Sequence, residues 1–421
     1  MGKLSVVKSK DLLYFPNTHE YGSVVPGHID VMRDPRLRKQ LGIVHAIAGG
    51  DRGYNTEGDV ITETVDGVPL NNIWAEFQQT LAVQNARRDA LVSFLTYTVD
   101  QPVVTVPQFG GGEDFEIASE FGVPKSQRPT STYFQMGFDF EWYDTASRFT
   151  WKYLAEATAS QIESVHQSIL EADNRLVFNE VMRTLFSNVN REVDIRNRPY
   201  TVYAFYNNDG TVPPDYKSNT FDGTHNHYLT SGAATIDSGD VDTMLTQLQH
   251  HGYSKSNGAE LVLLVNQQEG DVIRTFRSPP NGGTAKYDFI PATNQATFMI
   301  PQIFLTGTQI VGSRPGGTFR GMDVIGSYGD FLIVQEDYIP AGYVVGFATG
   351  GDQSLTNPIG IREHARQELR GLRIVKGRVP DYPLQDSYYQ RGFGTGIRQR
   401  GAGAVMQITA NASYTPPAQY A

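Results

Sequence analysis

Residues 131–143 read Ser131-Thr132-Tyr133-Phe134-Gln135-Met136-Gly137-Phe138-Asp139-Phe140-Glu141-Trp142-Tyr143, the most regular alternation in the chain. The large apolar side chains fall on one face of an extended strand: Phe134, Met136, Phe138, Phe140 and Trp142. Alternation with a period of two predicts a half-buried β-strand. The run from Pro102 to Pro107 predicts the partner strand of a hairpin, and the intervening residues, rich in glycine and proline, predict its turn.

The aromatic face of this hairpin needs a cover, because an isolated hairpin is only marginally stable in water. No neighbouring stretch of sequence offers a further strand to supply that cover. We therefore expect another part of the fold, or another copy of the chain, to cover the face. Cover by another copy would mean that copies of the chain assemble.

A long helix is predicted after the hairpin. Apolar residues recur at helical spacing from Ile162 to Leu185, so we expect a helix from about Thr145 or Leu154 to Phe186. An alternative with two helices and a break near Asp173-Asn174 stays open. An earlier helix is predicted from Asn71 to about Tyr97, whereas prolines and glycines interrupt every apolar cluster of residues 1–70 and predict an irregular arm.

The sequence pattern of the second half of the chain predicts a mixed α/β region. A helix is predicted from Asp240 to His251, closed by Gly252. The other elements expected here are apolar runs bounded by turn residues: strands at Leu261–Val265, Met322–Ile325, Phe331–Gln335, Tyr343–Ala348 and Leu372–Lys376, a short helix at Val272–Phe276, and a closing strand at Ala404–Ala410.

The amino-acid composition excludes several classes of protein. The hydrophobic content of 39% predicts a folded chain, and 42 glycines and 22 prolines favour loops and strands over helix. The absence of cysteine excludes disulfides, thiolate metal sites and cysteine nucleophiles. The net charge of −10 disfavours a surface that binds nucleic acid everywhere, but it leaves room for a local basic strip. No secretory signal or membrane-spanning run is visible, which predicts a soluble protein made in the cytoplasm.

The order of arm, long hairpin, long helix, mixed α/β region and closing strand resembles the major capsid proteins of tailed double-stranded DNA bacteriophages, which have the HK-ninety-seven-like fold. Two stretches, residues 257–269 and 396–409, are similar to those of phages that infect actinobacteria. The resemblance implies an α+β fold made of an N-terminal arm with a helix (1–97), an extended hairpin loop (98–144), a peripheral domain with a long spine helix (145–235), an axial α/β domain (236–385) and a return to the peripheral domain (386–421).

The function implied by this resemblance is structural. Copies of the chain would form pentamers and hexamers of an icosahedral shell around double-stranded phage DNA, in the virion capsid, after synthesis in the host cytoplasm. The implied partners are the chain itself, a portal, scaffolding or decoration proteins where these exist, and DNA through non-specific contact, without a membrane. Two alternatives stay open: an encapsulin-type protein compartment, and a β-rich carbohydrate-binding or hydrolytic protein.

The residues expected to serve a shell are contact residues. The hairpin face is the predicted subunit interface, and the basic residues Arg33, Arg36, Arg38 and Lys39 are predicted to serve contacts of the arm. A second basic group is predicted to face DNA on the inner wall or to form ion pairs between subunits: Arg362, Arg366, Arg370 and Arg373. Some relatives join a hairpin lysine to an asparagine of another subunit. Lys125 is the lysine at a matching place, with an ordinary exposed loop lysine as the favoured alternative.

Catalytic and cofactor chemistry is not predicted. The chain has no nucleophile elbow, phosphate-binding loop or complete dinucleotide motif. His225 and His227, near Asp222, are residue types that suit zinc. No third histidine lies close to them in sequence, so a polar surface loop is favoured and no metal is predicted. His250 and His251 at a predicted helix end suit the helix dipole instead.

Overall fold

The structure is a computed structural model that describes residues 63–86, 90–109, 117–118, 120–123, 131–195, 197–293, 315–319, 322–376 and 384–420. The arm residues Arg33, Arg36, Arg38 and Lys39 lie outside the described residues, as does Lys125. The chain divides into two compact units. One contains Met1–Ala75, Ser147–Glu163 and Lys376–Ser387, and the other contains Glu76–Ala146, Ser164–Val375 and Tyr388–Ala421. This division does not follow the domain ranges implied by the sequence, which stay a prediction.

The secondary structure is mixed. The helices are α1 Leu70–Ala86, α2 Ala90–Leu95, α3 Trp151–Glu156, α4 Ala159–Phe186, α5 Ser238–Gln249 and α6 Gln267–Ile273. The strands are β1 Thr96–Val99, β2 Val103–Phe109, β3 Ser131–Gly137, β4 Glu141–Thr150, β5 Arg191–Asp194, β6 Pro199–Val202, β7 Tyr228–Thr230, β8 Glu260–Val265, β9 Phe289–Pro291, β10 Thr318–Phe319, β11 Met322–Tyr328, β12 Phe331–Gln335, β13 Tyr343–Thr349, β14 Ile359–Glu363, β15 Arg373–Lys376, β16 Leu384–Ile397 and β17 Gly403–Gln407.

The predicted hairpin forms. Strands β2 and β3 pair antiparallel, from Val103 opposite Gly137 to Phe109 opposite Ser131. The single returning strand predicted over residues 131–143 is wrong, however, because β3 ends at Gly137 and β4 begins only at Glu141. Between them the backbone N–H of Asp139 donates to the carbonyl of Thr395 (3.3 Å). At this break residues 137–140, which form the base of the hairpin, therefore contact β16.

The long helix α4 is continuous over 28 residues, so the alternative with a break near Asp173-Asn174 does not occur. At ~1.5 Å per residue it is ~42 Å long. It begins later than Leu154 because β4 runs to Thr150 and α3 follows. The Thr150 hydroxyl caps α3 by accepting a hydrogen bond from the N–H of Tyr153 (3.1 Å). The earlier predicted helix also ends sooner, since Tyr97 lies on β1.

In the first compact unit, the described segments are tied by three contacts. The N–H of Val65 donates to the carbonyl of Ala157 (3.1 Å). The Asp66 carboxylate accepts from the N–H of Ala159 (3.1 Å), which satisfies one of the unpaired donors at the start of α4. Arg148 forms an ion pair with Asp386 (3.2 Å). These contacts join segments of the unit that are distant in sequence.

The core of the second unit surrounds an eight-stranded sheet with the order β10-β11-β12-β8-β13-β17-β7 and with β9 beside β11. Strand β8 lies in its middle, and successive side chains of a strand point to opposite faces. Val262 and Leu264 accordingly pack in one hydrophobic cluster with Leu185 of α4. Leu261 and Leu263 pack in another with Met244 of α5. Burial on both faces explains the continuous apolar run of β8.

The closing strand β17 lies inside this sheet. It pairs antiparallel with β13 and parallel with β7. The sheet therefore draws its strands from three of the ranges implied by the sequence: residues 145–235, 236–385 and 386–421. How these ranges divide in an assembled shell stays a prediction.

The second sheet has the order β1-β14-β16-β15, with β4 also beside β16. Strand β16 was not predicted, because its glycine-dense sequence is typical of a loop. The glycines are needed for close approach. A Cβ atom on Gly396 would lie 2.6 Å from the ring of Phe138, and one on Gly394 would collide with the carbonyl of Asp139. The space left by these glycines lets residues 137–140 lie flat on the strand.

We expect Gly394→Ala to lower the free energy of unfolding by about 3 kcal/mol, because the new methyl group overlaps backbone that has no flexible end to move aside. Urea unfolding followed by tryptophan fluorescence measures the change. Gly316→Ala is the matched control, since its Cβ would meet only an ordinary contact at 3.6 Å. A cost at Gly394 no greater than at Gly316 would show that residues 137–140 do not lie on β16.

Stability should also depend on pH through His166 of α4. Its ring is buried, lies 3.8 Å from the ring of Phe77 and contacts the hydroxyl of Tyr389. Burial lowers the pKa of His166 to about 4. Above about pH 6.5 the ring is neutral in both the folded and the unfolded chain. Between about pH 6.5 and pH 4 only the unfolded chain binds the proton, so stability is lost as the pH falls.

The expected loss from His166 is about 3 kcal/mol between pH 7 and pH 4. Urea unfolding at both pH values measures it in the natural chain and in His166→Gln. Protonation of the other buried histidines lowers the free energy of unfolding of both chains in the same way. The difference between the two pH dependences therefore reports His166 alone. Equal pH dependences would contradict the prediction.

Candidate assembly surfaces and a histidine cluster

The predicted hairpin face is only partly exposed. Met136 and Phe138 are 3% and 0% exposed. Phe138 packs with Tyr97 and Val99 of its own chain. Of the two covers expected for the hairpin face, another part of the fold therefore covers these two side chains, and their role in subunit contact stays a prediction. Phe134, Phe140 and Trp142 are less buried, and their role in subunit contact stays a prediction.

Phe140 and Trp142 belong to what we call the aromatic patch: Phe140, Trp142, Arg362 and His364. The Phe140 and Trp142 rings meet edge to face at 5.4 Å. The Arg362 guanidinium lies 5.0 Å from the centre of the Phe140 ring and donates to the carbonyl of Phe138 (3.0 Å). Trp142 remains 51% exposed. Exposed aromatic side chains held beside an arginine are the residue types that dominate binding energy at protein interfaces.

The hairpin tip, which we define as the described residues 117–118 and 120–123, was missed as a site. Ile117, Phe121 and Val123 are 97%, 93% and 92% exposed. Large apolar side chains with so little cover from their own chain are unusual on the surface of a soluble monomer. The sequence carried a signal for them, because three large apolar residues stand between a glycine-rich and a proline-containing turn. The turn residues favoured an ordinary flexible loop instead.

The basic residues near the aromatic patch are mostly bonded within the chain. Nε of Arg370 donates to the carbonyl of His364 (2.7 Å), and its Nη2 atom lies 3.8 Å from a carboxylate oxygen of Asp100. Arg373 donates to the side chain of Gln390 (3.3 Å). Arg366 is exposed. Contact of these residues with DNA or with other subunits stays a prediction.

Arg400 is buried and organises the loop that follows β6. Its Nη2 atom pairs with Asp209 (2.8 Å), and its Nε atom donates to the carbonyl of Ala204 (2.8 Å). The guanidinium also lies against the rings of Tyr203 (4.8 Å) and Tyr206 (4.6 Å). Burial acts to raise the pKa of Asp209, but hydrogen bonds from Thr211 and Asn190 and the charge of Arg400 together hold that pKa below its ordinary value.

Beside this loop lies what we call the histidine cluster: His225, His227, His250 and His251. One candidate ligand atom from each ring lies within 4.8 Å of the others. The Nε2 atoms of His225, His227 and His251 form a triangle with sides of 2.9, 3.0 and 3.0 Å. The predicted polar surface loop is wrong for His227, whose side chain is buried. The end of α5 brings the other pair to them.

The rings of the histidine cluster are held in place by their surroundings. Nδ1 of the buried His227 donates to the carbonyl of Gly403 (2.6 Å). The His251 ring stacks on Phe221 at 4.5 Å and on Tyr206 at 5.4 Å. Burial lowers the pKa of His225 to about 4 and that of His227 to about 3, and it lowers the pKa values of His250 and His251 as well. The four rings are therefore neutral at neutral pH.

The chain closely resembles a solved structure from a bacteriophage. A chain of Mycobacterium phage Patience is 45% identical, with a TM-score of 0.69, over 87% of this chain and 97% of that one. The asymmetric unit of the bacteriophage PhiM1 mature capsid matches at 10% identity and a TM-score of 0.46, over 77% of this chain and 88% of that one. The holo-SrpI encapsulin complex of Synechococcus elongatus matches at 10% identity and a TM-score of 0.41, over 91% and 99%. The last two matches are too distant to carry an argument about function. No protein-family model and no curated protein matches the chain.

The mixed α+β fold and the close relative define the class, a structural protein that forms a capsid shell. The chain belongs to the family of HK-ninety-seven-like major capsid proteins of tailed bacteriophages. The resemblance drawn from the sequence is thereby confirmed, and the carbohydrate-binding or hydrolytic alternative is set aside. No described helix is both long and apolar enough to cross a membrane.

Proposed function

We propose that copies of this chain, as hexamers and pentamers, build an icosahedral shell around double-stranded phage DNA. The identity of 45% to the Mycobacterium phage chain, over nearly the whole length of both, carries this proposal. A portal, and scaffolding or decoration proteins where the phage encodes them, would complete the particle. The shell would be assembled in the host cytoplasm from newly made subunits.

The hairpin tip is the surface we assign to contact with a neighbouring copy. Its three apolar side chains are almost completely exposed, so they gain a large part of their possible hydrophobic stabilisation only when another surface covers them. In a shell every copy presents the same tip, so each contact recurs at many equivalent positions. Modest contacts repeated in this way give a stable particle.

The aromatic patch is the second surface assigned to contact between copies. Trp142 packs against Phe140 and His364 and is 51% exposed, so the ring is held in place before a neighbour arrives. A ring held in this way loses little conformational freedom on binding. Exposed Arg366 is assigned to an ion pair with a carboxylate of a neighbour, because the chain carries 45 acidic residues against 35 basic ones.

Assembly of the purified chain tests the proposal. Sedimentation and negative-stain microscopy across a range of protein and salt concentrations, with phage scaffolding protein where one exists, should show closed shells. A chain that stays monomeric under all these conditions would contradict the proposal. Cryo-electron microscopy of particles from infected cells gives the second result. DNA inside the shell supports a phage capsid, whereas a protein cargo would favour the encapsulin alternative.

A further inference from the structure

We propose that His225, His227, His250 and His251 bind one divalent transition-metal ion, for which zinc is the best-suited candidate. None of these four histidines belongs to the hairpin tip or the aromatic patch, so metal binding can be tested separately from shell assembly. The Nε2 atoms of His225, His227 and His251 form a triangle whose sides are 2.9 to 3.0 Å long.

Hydrogen bonds alone do not account for this triangle. The Nε2 atom of an imidazole either carries a proton and donates or lacks one and accepts. Three atoms at mutual hydrogen-bond distance would need each pair to contain one donor and one acceptor, and three atoms of two kinds cannot satisfy that condition. At least one pair must therefore place two protons or two lone pairs against each other. A cation removes the conflict, because all three lone pairs then point at one ion.

The hydrogen bonding of His227 fixes one corner of the triangle as an acceptor. The carbonyl of Gly403 can only accept, so Nδ1 of His227 carries the proton of the neutral ring. Its Nε2 atom then holds a lone pair directed at His225 and His251. A backbone carbonyl that receives the second N–H of a metal-bound histidine is a common feature of metal sites, because it fixes the tautomer and the orientation of the ring.

The dimensions of the triangle suit an ion. The centre of a triangle with sides of about 3.0 Å is about 1.7 Å from each corner, so an ion about 1.1 Å above the plane lies about 2.05 Å from each nitrogen, the usual zinc–nitrogen distance. Ideal tetrahedral binding would widen the sides to about 3.3 Å. Ring shifts of a few tenths of an ångström are enough for this adjustment.

His250 offers a fourth ligand. Its Nε2 atom is buried and has no hydrogen-bond partner among the described residues. A buried polar atom without a partner is costly, and an ion would satisfy it. Four protein ligands would close the coordination sphere, as in structural zinc sites rather than catalytic ones.

The ligand set also selects the kind of ion. Four neutral imidazoles suit zinc, cobalt, nickel and copper ions, whereas calcium and magnesium prefer oxygen ligands. The positive charge of the ion would be added near the buried Arg400, which opposes binding. Arg400 is already paired with Asp209, and the Asp222 carboxylate beside His225 adds a compensating negative charge.

A bound ion would fasten three separate parts of the chain. His225 and His227 lie in the loop before β7, and His250 and His251 lie at the end of α5. Through His227 the site also reaches Gly403, the first residue of β17. The ion would thus act as a structural link in a chain that has no cysteine and therefore no disulfide.

Metal analysis of the full chain tests the proposal. Protein incubated with zinc chloride and then dialysed against metal-free buffer should retain about one zinc per chain by mass spectrometry of the elements, and its melting temperature should rise above that of chelator-treated protein. Cobalt in place of zinc should give the strong visible absorption of a tetrahedral site. Protein that retains no zinc after dialysis and melts at the same temperature with and without zinc would overturn the proposal.

Two variants locate the ion. His225→Gln and His250→Gln should each weaken zinc binding on the order of 100-fold or more, because each removes one ligand. His364→Gln is the matched control, since His364 lies in the aromatic patch outside the cluster, and it should keep the zinc. Either ring variant suffices if the other fails to fold. Full zinc retention by a folded His225→Gln or His250→Gln chain would show that the ion binds elsewhere and would overturn the proposal.

Discussion

A chain carrying both Ile117→Ser and Phe121→Ser is expected to unfold at the same urea concentration as the natural chain and to form no shells. Both side chains are more than 90% exposed in the single chain, so their replacement removes almost no intrachain packing. Covering each by a neighbour would stabilise the contact by about 2 kcal/mol. Loss of both would weaken each contact by about 4 kcal/mol, or roughly a thousandfold.

Sedimentation velocity and negative-stain microscopy at matched protein concentrations measure this effect. Leu355→Ser is the control variant, because Leu355 is also exposed but lies outside the hairpin. The control should assemble at close to the natural concentration. Normal shells from the double variant would remove the hairpin tip from the set of assembly surfaces, while family membership would stand unchanged.

Arg400→Met should cost about 3–5 kcal/mol of unfolding free energy. The substitution leaves the Asp209 side chain, which is 15% exposed, without its charged partner, and it leaves the carbonyls of Ala204 and Phe205 without their donor. Loss of the guanidinium also removes the support under Tyr206, which stacks on His251. Urea unfolding measures the stability change.

Two further variants serve as comparisons for Arg400→Met. Arg366→Met removes a charge of the same sign from an exposed position and should change stability by about 0.5 kcal/mol at most. Adding Asp209→Asn to Arg400→Met should recover part of the loss, because the stranded charge is then gone. A cost below about 1 kcal/mol for Arg400→Met would contradict the structural role described for this arginine.

Helices and strands were predictable from the sequence where the apolar pattern lies within their own residues. Strands β8, β12 and β13 are continuous apolar runs, and both of their faces are buried in the sheet. The helix α4 keeps its apolar spacing past Asp173, whose ion pair with Arg391 (3.2 Å) satisfies a residue that looked like a breaker. Helix ends were less predictable. The caps of α5 and α6 are Asp237 and Asn266, and both helices begin earlier than their apolar residues suggested.

Features that depend on contacts between distant segments were not predictable. Strand β16 is rich in glycine because another segment of backbone lies against it, and nothing in residues 384–397 shows that segment. The break between β3 and β4 has the same cause. The histidine cluster joins two pairs of residues that are more than twenty positions apart, so no spacing rule for metal ligands detects it. The exposure of the hairpin tip likewise depends on what the rest of the fold leaves uncovered.

The way residues 137–140 lie on β16 has a consequence for the kinetics of assembly. Asp139 receives a hydrogen bond from the N–H of Thr395 (2.5 Å) and an ion pair from Arg191 (2.7 Å), so the base of the hairpin is fixed within the single chain. Ordering a residue during binding costs about 1–2 kcal/mol of backbone entropy. At the base of the hairpin this ordering is complete before a neighbour arrives. Encounters between subunits therefore meet a hairpin whose direction is already set, which favours fast and correctly oriented association.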